Sequence, residues 1–192
     1  MNNAFISSTC RPSWLLIVTV FAIGVCGEAA VVETEPAVAA TIEVYYAPED
    51  LPLDHLVKLY DGARRYIYTA VYVLTSPLAT KALVTAKKRG VDVRVITDRE
   101  RLSDAKQHAA LETLRLAGIP IRVNRHEALM HLKQVVVDDE INASGSMNHT
   151  TSGNRYNDER LDIIRDHATS VKAREKFLAM WKDEDRFQLW QD

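Results

Sequence analysis

The sequence predicts one α/β domain built on a mixed, largely parallel β-sheet sandwiched between helices. Three observations predict it. The chain has 192 residues, 47% of them hydrophobic, enough to bury one core. Short β-branched or aromatic runs alternate with stretches whose apolar residues recur at helical spacing, as in successive βαβ units. Helix-start and helix-stop residues stand between them, with Ser76-Pro77 ahead of one helix and Gly90 and Gly118 behind two others.

Taken in order, Met1 to Ala40 reads as a signal peptide or N-terminal membrane anchor. Arg11 precedes an apolar run from Trp14 to Cys26 that falls short of the ~20 residues needed to span a bilayer. The protein is therefore expected to be exported, periplasmic or secreted, with membrane association through this segment if it is retained. The domain then occupies residues 41–192. Thr41 to Tyr46 reads as a strand and Leu53 to Arg65 as a helix, with Leu53, Leu56, Val57 and Tyr60 on one face. Tyr66 to Leu74 is a strand, Pro77 to Arg89 a helix and Val91 to Thr97 a strand. Asp104 to Ala117 is a helix and Ile119 to Val123 a strand. A motif strand, a strand from Glu159 to Arg165 and a closing helix from Ala168 to Trp181 complete the pattern.

The stretch from His131 to Asn148, HLKQVVVDDEINASGSMN, carries the chemistry. Its β-branched centre, Val135-Val136-Val137, reads as a strand buried on both faces. If that strand begins at His131, alternation puts His131 and Lys133 on one face, roughly 7 Å apart at about 3.3 Å per residue. A phosphate can touch both from there. Asp138 has the opposite parity and is expected to fix the strand's surroundings. Ser146 and Asn148 repeat the two-residue spacing after Gly145, which admits a close backbone approach. A neutral imidazole attacks phosphorus and can leave again, while lysine, hydroxyl and amide donors hold the charge that builds on the phosphoryl oxygens.

His131-x-Lys133-x4-Asp138-x6-Gly145-Ser146-x-Asn148 resembles the HKD motif of the phospholipase D superfamily. The chain from about Val44 to Trp181 is similar to its small single-motif bacterial endonucleases. The resemblance implies a metal-independent phosphodiesterase without cofactor, cleaving DNA or RNA through a phosphohistidine. It assigns His131, Lys133, Asp138 and Glu159 to the catalytic set, and Lys133, Ser146 and Asn148 to the phosphate. Glu159 would hydrogen-bond the imidazole, although Arg160 stands where the family often has asparagine. In the family a second motif supplies the second histidine. Here one copy is present, so the resemblance implies a homodimer in which two His131 side chains meet. A phospholipase D acting on lipid headgroups and a non-catalytic nucleic-acid-binding module are the alternatives.

Composition limits how a polyanion could be held. Residues beyond Ala40 carry 23 basic and 23 acidic side chains, so binding must come from local clusters. Arg122, Arg125, Arg155 and Arg160 flank the motif and are the candidate nucleic-acid contacts. Lys87-Lys88-Arg89 closes a helix, where cations suit the dipole. His126 or His149 would serve as the acid only in a monomeric enzyme. Cys10 and Cys26 both lie in the leader, which leaves the domain without a disulfide or a cysteine-rich zinc site. No metal site is expected.

Overall fold

The computed structural model describes residues 39–191, so the leader reading falls almost wholly outside the described residues. The elements are β1 (Thr41–Ala47), α1 (Pro52–Gly62), β2 (Tyr66–Val71), α2 (Pro77–Lys88) and β3 (Asp92–Thr97). A 3-10 turn (Arg99–Ser103), α3 (Ala105–Leu116), β4 (Ile121–Asn124), β5 (Lys133–Val137) and β6 (Ile141–Gly145) follow. The last elements are α4 (Thr151–Arg155), β7 (Glu159–Arg165), α5 (His167–Lys182) and β8 (Phe187–Leu189). None of the described helices is long and apolar enough to cross a membrane.

The strands form one sheet in the order β1-β7-β6-β5-β2-β3-β4-β8. It is mixed and flanked by helices, but the expected weighting toward parallel pairing is corrected. Only β2–β3 and β3–β4 are parallel; the other five pairings are antiparallel. The reason lies in the connections. Parallel neighbours need a crossover, and α2 and α3 supply two of them. After His131 the chain has only a tight turn at Asp138-Asp139 between β5 and β6, which forces antiparallel return.

Helix ends follow the expected chemistry. The Ser76 side chain accepts from the Ala79 N–H, and Asp104 accepts from Lys106 and Gln107. Gly90, with φ +92°, ends α2 in the left-handed region. Arg89 beside it donates to the carbonyls of Tyr60 at 2.7 Å and Ala63 at 3.4 Å, tying α2 to the end of α1. The sequence reads this basic cluster as a complement to the helix dipole; the tie to α1 is a further role, made by Arg89.

Period-two alternation divides the sheet between two cores. Ile67, Val71, Val93, Val95, Val135 and Val137 face α1, α2 and α3. Tyr66, Tyr68, Ala70, Ile96 and Val136 face α5, where Tyr68 stacks on Phe177 at 4.9 Å. The carboxyl ends of β2, β3 and β4, the start of β5, the end of β6 and the start of β7 share one edge of the sheet. Carboxyl edges of open α/β sheets are where ligands are usually held.

Candidate active site

His131 and Lys133 meet at that edge. His131 precedes β5 rather than lying within it, and its neighbour Leu132 still accepts a hydrogen bond from the Tyr72 N–H at 3.0 Å. The Lys133 Nζ stands 3.0 Å from His131 Nδ1, 3.1 Å from Nε2 and 3.0 Å from the His131 carbonyl oxygen. An ammonium can only donate and a neutral imidazole has one acceptor nitrogen, so Lys133 pairs with whichever ring nitrogen carries no proton. Burial lowers the Lys133 pKa, and the charge of Glu159 opposes that effect.

Tyr72 forms the floor. Its ring centroid lies 4.8 Å from the His131 ring and 5.4 Å from Lys133 Nζ. The alternation that aligns Tyr66, Tyr68 and Tyr72 could have found it, since the third of these passes beyond the α5 core to the sheet edge. His131 also lines a cleft of about 180 Å³ with His126, Leu129, Leu132, Lys176 and Arg186.

Ser146 and Glu159 form a second cluster across β6 and β7. The Ser146 hydroxyl donates to Glu159 Oε2 at 2.5 Å and accepts from the Arg160 N–H at 3.0 Å. The Asn157 amide donates to Glu159 Oε1 at 3.3 Å. Within this chain Glu159 is therefore held by Ser146 and Asn157, not by the imidazole that it was expected to orient. Gly145 permits this arrangement, because a Cβ there would lie 2.0 Å from the Arg160 carbonyl oxygen. Asn148 Oδ1 accepts from the Val73 N–H at 3.2 Å, which turns its amide nitrogen away from that strand.

Asp138 sits at the opposite end of β5 from the imidazole. Five residues beyond Lys133, it is roughly 16 Å away at about 3.3 Å per residue. Its carboxylate accepts from the N–H groups of Arg64, Arg65 and Tyr66, each at 2.8 Å. The structure thus separates Asp138 from the catalytic set and makes it a clasp between β5 and the entry to β2.

The arginines divide as well. Arg122 is 9% exposed, donates to the Phe187 carbonyl at 3.2 Å, pairs with Glu184 at 3.3 Å and lies over Trp181. It is corrected from nucleic-acid contact to a tie among β4, β8 and α5, because β4 turns it under α5. Arg155 lies with Leu53, Ser76 and Leu78, apart from the residues around His131. Arg125 is exposed and donates to the Glu184 carbonyl at 3.2 Å. Arg160 is exposed, pairs with Asp162 at 2.7 Å and lines a cleft of about 460 Å³ with Tyr46, Ser146 and Glu159. His149 is 2% exposed and burial pushes its pKa down to about 4, so it has no route to a substrate. Among the described residues, no three His, Cys, Asp or Glu side chains converge as they would around a metal ion.

A family model described as cardiolipin synthase, PLD-like domain, matches residues 56–181. The chain belongs to the phospholipase D superfamily. Similar members include a mitochondrial cardiolipin hydrolase of Xenopus laevis, 34% identical over 125 residues, covering 65% of this chain and 58% of that protein. A phospholipase D of Rickettsia conorii is 31% identical over 121 residues, covering 63% of this chain and 58% of that one. The chain thus spans less than two thirds of the length of these relatives. Among solved structures, the phospholipase D family member Nuc from Salmonella typhimurium overlays with a TM-score of 0.74 and 27% identity, over 80% of this chain and 100% of that one. NucT from Helicobacter pylori shares the fold, with a TM-score of 0.69 at 22% identity over 75% of this chain and 97% of that one.

Proposed function

We propose that this phospholipase D superfamily member is a metal-independent phosphodiesterase whose nucleophile is His131. The observation that carries the reading is the Lys133 ammonium within 3.1 Å of both imidazole nitrogens at the open edge of the sheet. The unprotonated nitrogen attacks phosphorus, a nitrogen–phosphorus bond forms and the bond to the leaving oxygen breaks. Lys133 and the Asn148 amide stabilise the charge on the non-bridging oxygens, and Ser146 joins them by turning its one hydroxyl proton from Glu159 to the phosphate. A second imidazole protonates the leaving oxygen. It then takes a proton from the water that attacks the phosphohistidine, and the nitrogen–phosphorus bond breaks. That imidazole is assigned to His131 of a second copy in a homodimer, the commonest symmetric assembly. His126, which shares a cleft with His131, is the acid this chain itself could offer.

The substrate we favour is a polynucleotide, cleaved endonucleolytically. The resemblance to small single-motif endonucleases, the overlay on the whole of Nuc and the exposed Arg125 and Arg160 support it. Phospholipid is the second reading, supported by the relatives named cardiolipin hydrolase and phospholipase D and by exposed Leu129 and Leu132 beside His131. Export and any membrane attachment remain part of the proposal and rest on residues 1–40.

Purified protein incubated with EDTA, on plasmid and on phosphatidylcholine vesicles in parallel, tests both readings. Nicked and linear plasmid with no choline release is expected; choline release over intact plasmid reverses the substrate. His131→Ala should abolish turnover of either, and retained turnover would end the covalent mechanism.

A further inference from the structure

His131 lies on an irregular segment, residues 125–132, between β4 and β5. Nothing in the ladder of the sheet holds the centre of that segment, yet three of its residues are tied from behind by buried side chains. Asn124, 1% exposed at the end of β4, donates from Nδ2 to the Ala128 carbonyl at 2.9 Å and to that of His126 at 3.4 Å. Asp98, 0% exposed just beyond β3, accepts the Met130 N–H at 2.6 Å. Its other oxygen accepts the Glu100 N–H at 2.8 Å, fixing the carboxylate plane. Met130 is itself buried against the α5 core. His131 is thus clamped on both sides, by Asp98 through Met130 and by the Tyr72 N–H through Leu132.

We propose that Asp98 is a positioning residue for His131: its buried carboxylate fixes the Met130 backbone and so sets the imidazole opposite Lys133. This rests on His131 being the nucleophile. The Asp98 carboxylate is hydrogen-bonded to the Met130 and Glu100 N–H groups and not to the imidazole; it acts through the backbone. A carboxylate is needed because both oxygens accept from N–H donors. An amide has one acceptor and would aim its own donors at a second N–H. The strand was legible as Val91 to Thr97, but only the fold brings Asp98, the residue after it, to a residue 32 positions away.

The test compares wild type, Asp98→Asn and Asn154→Ala, all in the full chain. Asn154 is the control, being 3% exposed and also holding backbone, through the Leu53 N–H at 2.8 Å, but away from His131. With bis(p-nitrophenyl) phosphate, Asp98→Asn is expected to lower kcat by about 10- to 100-fold with KM little changed, since small misplacements of a reacting group cost that much. Asn154→Ala should lower thermal stability while leaving kcat near wild type. Unchanged kcat in Asp98→Asn, or an equal fall in both variants, overturns the assignment. Ring resonances of His131 give a readout that needs no turnover. In Asp98→Asn they should shift or broaden, and the Met130 amide should exchange faster, while His149 resonances stay in place. Unaltered His131 signals overturn the proposal. A wild type inactive on every phosphodiester would instead defeat the phosphodiesterase reading, leaving these spectra to decide on Asp98.

Discussion

His149 carries its ring into the core one residue after Asn148, and its Nδ1 has no partner among the described residues. Burial lowers its pKa from 6.5 to about 4. Between those values the unfolded chain binds a proton that the folded chain does not. Its contribution is therefore full above 6.5 and is lost as pH falls toward 4, on the order of 3 kcal/mol in all at ~1.36 kcal/mol per unit. Urea unfolding at pH 7 and pH 5 should show His149→Leu losing about 2 kcal/mol less than wild type over that interval; equal losses would refute the buried-neutral assignment. At this scale the sequence was informative where chemistry depends on spacing. His131 and Lys133 two residues apart do meet. The partner of Glu159 was not legible, because Ser146 reaches it only through the register of β6 on β7, in which Gly145 faces Leu161. Tyr72, Asn124 and Asp98 likewise gain their roles from neighbours far along the chain.

β5 shows how an element joins site and scaffold. Its first residue presents the ammonium, and the residue after its last closes the far end on β2 through three hydrogen bonds. Asp138 has φ 56°, a left-handed geometry that aspartate tolerates better than alanine. Asp138→Ala loses the three bonds and adds backbone strain, so about 3 kcal/mol of destabilisation is expected, with water replacing the partners of the exposed N–H groups. The folded fraction should keep its kcat. A variant stable as wild type but inactive would return Asp138 to the chemistry. Long periodic elements were legible in the sequence, from α1 through α3 and again at α5. Short ones were not. The five residues of α4 and the three of β8 are too brief to show a period, and tertiary contacts define them.

The whole molecule presents a single His131-Lys133 pair, so the proposed mechanism requires a second copy. Among the described residues, β1 leaves Ile42, Val44 and Tyr46 exposed at 62%, 39% and 51% on the α5 side of the sheet, opposite Ile164, Asp162 and Arg160, a row of apolar side chains of the kind that association buries. If two imidazoles act together, mixing wild type with His131→Ala and allowing exchange should make activity fall as the square of the wild-type fraction. A linear fall, with monomers in sedimentation, would pass the acid role to His126. The alternation of strands and helices revealed the layers of this fold, whereas the direction of each strand depended on connections whose length the sequence showed only in part. Strand direction also has a practical consequence. β1 enters the sheet at Thr41 opposite Arg165, on the Asp138 end, and reaches Glu159 only at Ala47. A tether fused just ahead of Ala39 would therefore leave from the rim farthest from His131, and protein immobilised that way would hold its reactive rim toward the bulk solution.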